Sequence, residues 1–147
     1  DFTVEDTHGN AIKVIGANHV VFRGVRVRWT RGASKMNGAY GVYPVLCENV
    51  LIENSEVSEA SDAGIYVGQS DKIVVRNNYV HDNVAGIEIE NSDDAEVHHN
   101  RAVNNTAGIL VFNLPDLVKK DGRRTWIHSN EVRNNNKKNF STKGSII

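Results

Sequence analysis

Apolar and polar residues alternate along this chain in short runs that recur at a fixed interval. The clearest copies are two consecutive blocks of 22 residues, 64–85 and 86–107, which are identical at 8 positions. Each block opens on Gly-Ile, alternates, turns at Ser-Asp, alternates again and reaches Asn before a second polar turn. A constant period of this length indicates a stacked repeat architecture.

The register of these blocks extends in both directions along the chain. Its opening position is occupied by Ala11, Gly41, Gly64, Gly86 and Gly108. The pattern therefore predicts five coils, most of about 22–23 residues, with a partial coil at each end. Two insertions interrupt it, one at 32–40 and one at 114–124.

Every coil is predicted to contain two clear strands and a third, shorter one. The first strands begin at Ile12, Val42, Ile65, Ile87 and Ile109. The second strands begin at Val20, Val50, Ile73, Ala95 and Thr125. A single apolar residue marks the third strand, at Val27, Val57, Val80, Ala102 and Val132. Because side chains alternate between the two faces of a strand, the first and third residues of each clear strand should face the core.

Two further residue types follow the same register. Asparagines recur at two positions of the coil, at Asn78, Asn100 and Asn130 and at Asn83, Asn105 and Asn135. Stacked amides can hydrogen-bond from coil to coil, so these positions predict two asparagine ladders. Pro44 interrupts a first strand, and we expect a local distortion there because proline has no N–H to donate.

The spacing distinguishes between two kinds of solenoid. Period-2 alternation with Asn and Gly turns every few residues leaves no room for a helix pair of about 30 residues or more. Three short strands and three turns in about 22 residues match one coil of a right-handed parallel β-helix. The predicted fold class is therefore all-β, a single-stranded parallel β-helix whose coils stack about 4.8 Å apart.

Composition agrees with this fold and excludes some classes of protein. The 147 residues suffice for one domain with a continuous core, and the net charge of −1 gives no global attraction to nucleic acid. No apolar run approaches the roughly 18 residues of a membrane span. The single cysteine, Cys47, cannot form an internal disulfide, and its apolar neighbours predict a buried small hydrophobic residue.

Several segments carry a resemblance to a known family. They are GAYGVYPV (38–45), ASDAGIYVGQS (60–70), NVAGIEIEN (83–91), GILVFNLPDL (108–117) and NNNKKNFSTKGSII (134–147). Together they resemble a subfamily of bacterial right-handed parallel β-helix repeat proteins, distantly related to β-helix pectate lyases, alginate lyases and epimerases and to phage tailspikes. The resemblance implies an extracytoplasmic protein, periplasmic or secreted, with further coils after Ile147. It implies no particular activity, because no catalytic motif of those relatives can be laid on these residues.

The chain ends and one outward face predict partners. Residues 2–6 align with the second strand of a coil, residues 143–147 resemble the opening of another coil, and neither end carries a cap. We therefore expect residues 1–147 to be part of a longer solenoid, or other chains to cover its ends. An outward apolar stripe, interrupted by Glu96, also predicts cover by another segment or chain; it comprises Val21, Leu51, Val74 and Trp126.

Candidate chemistry lies on the outward face of the first strands. One column of outward residues comprises Lys13, Tyr43, Tyr66, Glu88 and Leu110. The other comprises Ile15, Val45, Gly68, Glu90 and Phe112. One insertion precedes this strand and the other follows it, so the two are predicted to flank its outward face as a groove.

The residues around this groove predict a polysaccharide ligand. Both insertions are basic on balance, and tyrosine rings pack on sugar faces while their hydroxyls hydrogen-bond. We therefore expect an extracytoplasmic scaffold or carbohydrate-binding module suited to acidic polysaccharide. The expected contacts are Tyr43, Tyr66, Glu88, Glu90, Lys119, Lys120, Arg123 and Arg124.

The alternative is an enzyme that acts on uronate-containing glycans. A lyase or epimerase needs a base, an acid and a group that neutralises the uronate carboxylate. Lys13 or Tyr66 is the candidate base and Tyr43 the candidate acid, with Arg123 or Arg124 as the neutralising group. A hydrolase instead needs two carboxylates about 5 to 9.5 Å apart, for which Glu88 and Asp62 are candidates.

Metal binding is the weaker interpretation of the remaining polar residues. His98 and His128 share an outward column, but a third ligand is not evident, Arg76 lies in the same column, and His99 should point the other way. Asp71, Asp93 and Asp94 occupy equivalent turns, and polar turns of a solenoid look the same with or without calcium. We therefore expect no metal and no cofactor.

Overall fold

The structure, a computed structural model, describes residues 1–141, and every regular element in that range is a short strand. Sheet 1 contains the first strands, β2 (Ile12–Ile15), β5 (Tyr40–Val45), β8 (Ala63–Gly68), β11 (Ala85–Glu90) and β14 (Ala107–Phe112). Sheet 2 contains the second strands, β3 (Asn18–Arg23), β6 (Glu48–Glu53), β9 (Asp71–Arg76), β12 (Asp93–His98) and β15 (Trp126–His128). Sheet 3 contains β1 (Phe2–Glu5), β4 (Val25–Arg28), β7 (Glu56–Ser58), β10 (Tyr79–His81), β13 (Arg101–Val103) and β16 (Glu131–Arg133).

The three sheets are parallel, and each strand pairs with its counterpart in the next coil. Ile87, for example, lies between Ile65 and Ile109, and Val97 lies between Val75 and Ile127. The register of the sequence repeat is thus the register of the sheets. The predicted right-handed parallel β-helix is confirmed.

Alternation along the strands builds one continuous core. The inward positions of the central coils, such as Ile65, Val67, Ile87 and Ile89, are completely buried. Cys47 is buried among them, as predicted. The core is less covered in the last coil, where the inward side chains of Val111, Ile127 and Val132 are exposed, since no further coil lies over them within residues 1–141.

A glycine opens four of the five coils, and the close approach of successive turns requires it there. A Cβ atom on Gly86 would lie 2.5 Å from the Gly108 carbonyl oxygen and 3.0 Å from a methyl group of Val80. A Cβ on Gly41 would meet the Gly64 carbonyl oxygen at 2.6 Å. Backbone atoms cannot move away at these distances, so the repeat needs a residue without a side chain there.

Both asparagine ladders form as predicted. In one, Nδ2 of Asn83 donates to Oδ1 of Asn105 at 3.1 Å, and Nδ2 of Asn105 donates to Oδ1 of Asn135 at 2.9 Å. In the other, Asn78, Asn100 and Asn130 are joined by two bonds of 3.0 Å. Because the amides also bond to buried backbone groups, the ladders hold the turns of adjacent coils together.

Three local expectations have definite outcomes. The ladder between β5 and β8 pairs Val42 with Ile65 and Val45 with Gly68 but has no pair at Pro44, so the predicted distortion is present. Residues 2–6 were expected in a second strand, and this is wrong: Phe2 pairs with Val25, which places β1 in sheet 3. The expected next coil at 143–147 lies outside the described residues.

The assignment of β1 failed for a physical reason. A run of alternating apolar residues has the same period in every sheet of the solenoid, so the run alone does not say which sheet it joins. The coil-to-coil stacking decides, and it aligns Val4 with Val27.

Within residues 1–141 there is also no helix, and hence no apolar helix of membrane-spanning length.

Candidate functional site

The outward face of sheet 1 carries a cluster of tyrosines and carboxylates. Parallel pairing sets Glu88 beside Tyr66, and Glu90 beside Gly68. Tyr43 precedes Tyr66 in the same column, where it pairs with Lys13 on its other side. The structure therefore brings together Tyr43, Tyr66, Glu88 and Glu90, as the alternation predicted.

Three tyrosine rings form the apolar part of this cluster. The ring of Tyr40 lies 4.5 Å from that of Tyr43 and 4.6 Å from that of Tyr66, measured between centroids. Tyr43 and Tyr66 meet edge to face at 4.9 Å, which is a favourable arrangement of aromatic quadrupoles. The small side chains of Ala63 and Ala85 pack beneath them.

Tyr40 was missed by the sequence analysis, which placed it in the first insertion. The structure ends that insertion before Tyr40, which begins β5 and pairs with Ala63. The equivalent residues of later coils are Ala85 and Ala107, so one aromatic residue stands in a column of alanines. That exception in the column was the available signal.

The tyrosine hydroxyls donate to carboxylates. Tyr66 donates a short hydrogen bond to Oε2 of Glu90, and Tyr40 donates to Asp62. Burial, together with these neighbouring negative charges, raises the pKa of both tyrosines far above the usual phenol value. The two hydroxyls therefore stay protonated and act as donors throughout the physiological range.

Glu88 has the most unusual environment of the cluster. It is only 5% exposed, and no Lys or Arg of residues 1–141 forms an ion pair with it. Burial, reinforced by the negative charges of Asp62 and Glu90, raises its pKa from 4.5 to about 8. At neutral pH the side chain is therefore mostly a carboxylic acid that can donate a proton.

Lys13 lies at the exposed end of the column. Its Nζ is 5.0 Å from the centroid of the Tyr43 ring, within the range of a cation–π interaction. Lys13, a candidate base, therefore contacts Tyr43, the candidate acid. It is three coils away from Glu88, because Tyr43 and Tyr66 occupy the two intervening coils.

The two insertions lie on opposite edges of sheet 1, as predicted. The first packs on the turn that leads into β8: Nδ2 of Asn37 donates to the Glu59 carbonyl at 2.7 Å, and Ser61 donates to the Asn37 carbonyl at 2.8 Å. The second packs on the turn that leaves sheet 1, where Nδ2 of Asn91 donates to the carbonyls of Lys119 and Lys120.

The cations of the second insertion are engaged at that turn. Lys119 pairs with Asp71 and, at 3.1 Å, with Asp93. Arg124 pairs with Asp94 at 2.5 Å, and Arg123 lies 3.7 Å from Asp121. Two of the turn carboxylates considered for calcium thus hold an ammonium group, and the third holds a guanidinium. The main cationic charge of this insertion is directed at the turn and not at the tyrosine cluster.

A cleft lies elsewhere, between sheets 2 and 3. Its volume is about 900 Å³, and its lining includes Arg23, Arg26, Glu56, Tyr79 and Arg101. The charges there are paired between neighbouring strands of adjacent coils, Arg26 with Glu56 and Arg23 with Glu53. The sheet 1 cluster, where tyrosine hydroxyls and carboxyl groups converge, is the better candidate site.

Comparison with protein families agrees with this architecture. Residues 1–144 match the family described as "Right handed beta helix region". The chain belongs to the right-handed β-helix family. Comparison with curated proteins and with solved structures finds no match.

Proposed function

We propose that this β-helix is a carbohydrate-binding module whose ligand lies on the outward face of sheet 1. The proposal is carried by one observation: three tyrosine rings within 5 Å of one another adjoin Asp62, Glu88 and Glu90. Aromatic rings pack against the apolar faces of sugars, and carboxyl groups hydrogen-bond to sugar hydroxyls. The rigid ladder beneath the cluster fixes both kinds of group before a ligand arrives.

The charge of the cluster favours a neutral glycan over the acidic polysaccharide expected from the sequence. A uronate would meet the negative charges of Asp62 and Glu90, while Lys119 and Arg124, which were expected to attract it, are paired with aspartates at the turn. Like charges in a partly buried site repel strongly because solvent screens them little. A polymer of uncharged sugars avoids this repulsion and uses the same hydrogen-bonding groups.

Glycoside hydrolysis is the second candidate function. It is supported by the raised pKa of Glu88, which keeps a proton available for a leaving group at neutral pH. Glu90 lies two residues further along the same face of β11 and is the candidate for the second carboxyl group that hydrolysis needs. The lyase and epimerase alternatives are less well supported, because each needs a cation beside the substrate carboxylate.

An extracytoplasmic location, periplasmic or secreted, is part of the same proposal. It is supported by the resemblance to bacterial β-helix repeat proteins and by the glycan ligand, because structural polysaccharides lie outside the cytoplasm. Further coils or a partner chain over the apolar stripe also stay proposals. The exposed side chains of Val21 and Trp126 in that stripe support them.

A glycan array tests the binding function. We expect the whole chain to bind neutral glycans, and Tyr43→Ala to weaken that binding by about fivefold or more, since one stacked ring contributes roughly 1 kcal/mol or more. Tyr79→Ala is the matched control, because Tyr79 lies on sheet 3. Absence of binding to any glycan, or equal losses in the two variants, would contradict the proposal.

A reducing-end assay tests the second candidate. Incubation with the glycans that bind should release new reducing ends if Glu88 acts as an acid, and Glu88→Gln should abolish the release while binding persists. The same incubation with uronate polymers, followed by ultraviolet absorbance, detects unsaturated products. Binding without any product supports a binding module, and unsaturated product would favour the lyase alternative.

A further inference from the structure

A second cluster of polar side chains lies on the outward face of sheet 2, away from the tyrosine cluster. Glu96 and His98 are two residues apart on β12 and therefore project from the same face. His128 on β15 pairs directly with His98. The three side chains thus occupy three neighbouring outward positions on two adjacent strands.

The ligand atoms of these three residues converge. Nε2 of His128 lies 3.1 Å from Oε1 of Glu96, and Nε2 of His98 lies 4.0 Å from the same oxygen. One ligand atom from each residue lies within 4.8 Å of both others. In a tetrahedral zinc site, with bonds of about 2.0–2.2 Å, ligand atoms are about 3.3 Å apart. Small side-chain rotations therefore suffice to bring the three atoms to one ion.

The other ring nitrogens of both histidines have hydrogen-bond partners. Nδ1 of His98 lies 2.7 Å from Nδ1 of His99, and Nδ1 of His128 lies 3.1 Å from Oγ of Ser129. A metal-binding histidine commonly uses its second nitrogen in this way, which fixes the ring and its tautomer. The Nε2 atom of each ring therefore remains available to bind a metal ion on the side where Glu96 lies.

A left-handed turn residue makes part of this arrangement possible. His99 was expected to point away from His98 by alternation, and this is wrong. Its φ of 53° breaks the alternation, and its ring meets that of His98 at 5.0 Å between centroids. Ser129 occupies the equivalent turn position of the next coil, with a φ of 53°. One such residue therefore flanks each histidine.

The charge around the two histidines is compatible with a cation. The rings of His98 and His128 stack in parallel, with their centroids 5.1 Å apart. Arg76, the neighbour of His98 in the column, directs its guanidinium to Glu53 at 2.7 Å, and Glu53 also holds Arg23. The guanidinium of Arg76 is therefore held at Glu53.

We infer that Glu96, His98 and His128 bind a divalent transition metal ion, Zn²⁺ in particular. Two imidazoles and one carboxylate are a common protein ligand set for zinc, and such sites leave a fourth position for water or another ligand. Glu96 is the third ligand that the sequence did not reveal. The site is independent of the proposed glycan face, because its residues belong to a different sheet.

Calorimetric titration of the metal-free chain with Zn²⁺ at neutral pH tests the site. We expect one saturable site per chain, with affinity reduced about 100-fold or more by His98→Ala, His128→Ala or Glu96→Gln. His8→Ala is the matched control, because His8 is exposed in a loop before β2. All four changes are at the surface or partly exposed, and circular dichroism verifies that each variant is folded.

Trp126 provides a second readout that does not depend on heat of binding. Its ring lies 4.1 Å from that of His128, whereas Trp29, the other tryptophan, is buried in the core. Saturable quenching by Cu²⁺ should therefore affect the Trp126 emission and disappear in His128→Ala. Absence of stoichiometric Zn²⁺ binding, or binding that survives all three ligand changes, would overturn the inference.

Discussion

Tyr66 and Glu90 lie on adjacent coils of the solenoid, and the tyrosine hydroxyl donates a short hydrogen bond to the glutamate carboxylate. Both side chains project from the outer face of sheet 1, yet only 6% of Tyr66 and 5% of Glu90 is exposed. A carboxylate buried to this extent needs a donor or a proton. Glu90 has the donor, and the neighbouring Glu88 retains a proton instead.

Replacement of Glu88 by Gln should change how stability depends on pH. The folded-state pKa of Glu88 is about 8, against 4.5 for an ordinary glutamate, so the folded chain binds the extra proton between these values. The contribution of Glu88 is fully present below pH 4.5 and is lost as the pH rises to about 8. The wild-type chain should thus lose stability relative to Glu88→Gln across this window, by a few kcal/mol at about 1.4 kcal/mol per pKa unit.

Denaturant unfolding at a series of pH values measures this difference. Glu48→Gln serves as the control, because Lys72 lowers the pKa of Glu48. The contribution of Glu48 to stability is therefore constant above the pH range in which an ordinary glutamate titrates. Parallel pH profiles for the wild-type chain and Glu88→Gln would show that Glu88 is not protonated in the folded state.

Tyr66→Phe should destabilise the chain by about 1–3 kcal/mol, because it leaves the buried Glu90 carboxylate without its hydroxyl donor. The ring packing against Tyr40 and Tyr43 stays, so the loss reports the hydrogen bond and not a cavity. Thermal or denaturant unfolding gives the value. Tyr79→Phe, whose ring stacks on His81 in sheet 3, should change stability little, and a comparable loss there would argue against this explanation.

Asn83→Ala should cost about 3 kcal/mol, since one amide satisfies several buried groups. Its Oδ1 accepts from the Ala60 amide at 2.9 Å, and its Nδ2 donates to the Val57 carbonyl and to Asn105, both at 3.1 Å. Each buried group left without a partner costs about 1–3 kcal/mol.

Asn135→Ala is the control for this ladder. Among the described residues 1–141, Asn135 bonds to Asn105 and to the Ala102 carbonyl, and it is less buried than Asn83. It should therefore destabilise less than Asn83→Ala in the same denaturant titration. Equal losses at the two positions would mean that burial does not set the strength of the ladder.

Lys119→Ala should loosen the second insertion. The ammonium group lies between Asp71 and Asp93, and its removal leaves two carboxylates of adjacent coils facing each other. We expect faster proteolysis within residues 114–124 and a modest loss of stability. The Lys120→Ala variant, changed at an exposed neighbouring position, should be cleaved at the wild-type rate. Equal acceleration of cleavage in both variants would contradict a role of the Lys119 ion pairs in holding the insertion.

The sequence by itself determined the fold and most of the register. Each coil of a solenoid contacts mainly its neighbours, so a 22-residue period in the chain becomes a stacking period in space. This is why the strand positions, the asparagine ladders and the outward column of Tyr43, Tyr66 and Glu88 could all be predicted. The opening glycine is part of the same pattern, because every coil approaches the next at that point.

Only the tertiary structure decided what the irregular residues do. An insertion has no counterpart in the next coil, so the repeat could not predict that Lys119 turns to Asp71 and Asp93. Strand period is the same in all three sheets, so it could not place β1 in sheet 3. Alternation breaks where φ is positive, which hid the contact of His99 with His98. The protonation of Glu88 depends on burial among side chains from several coils, and no single stretch of sequence contains that information.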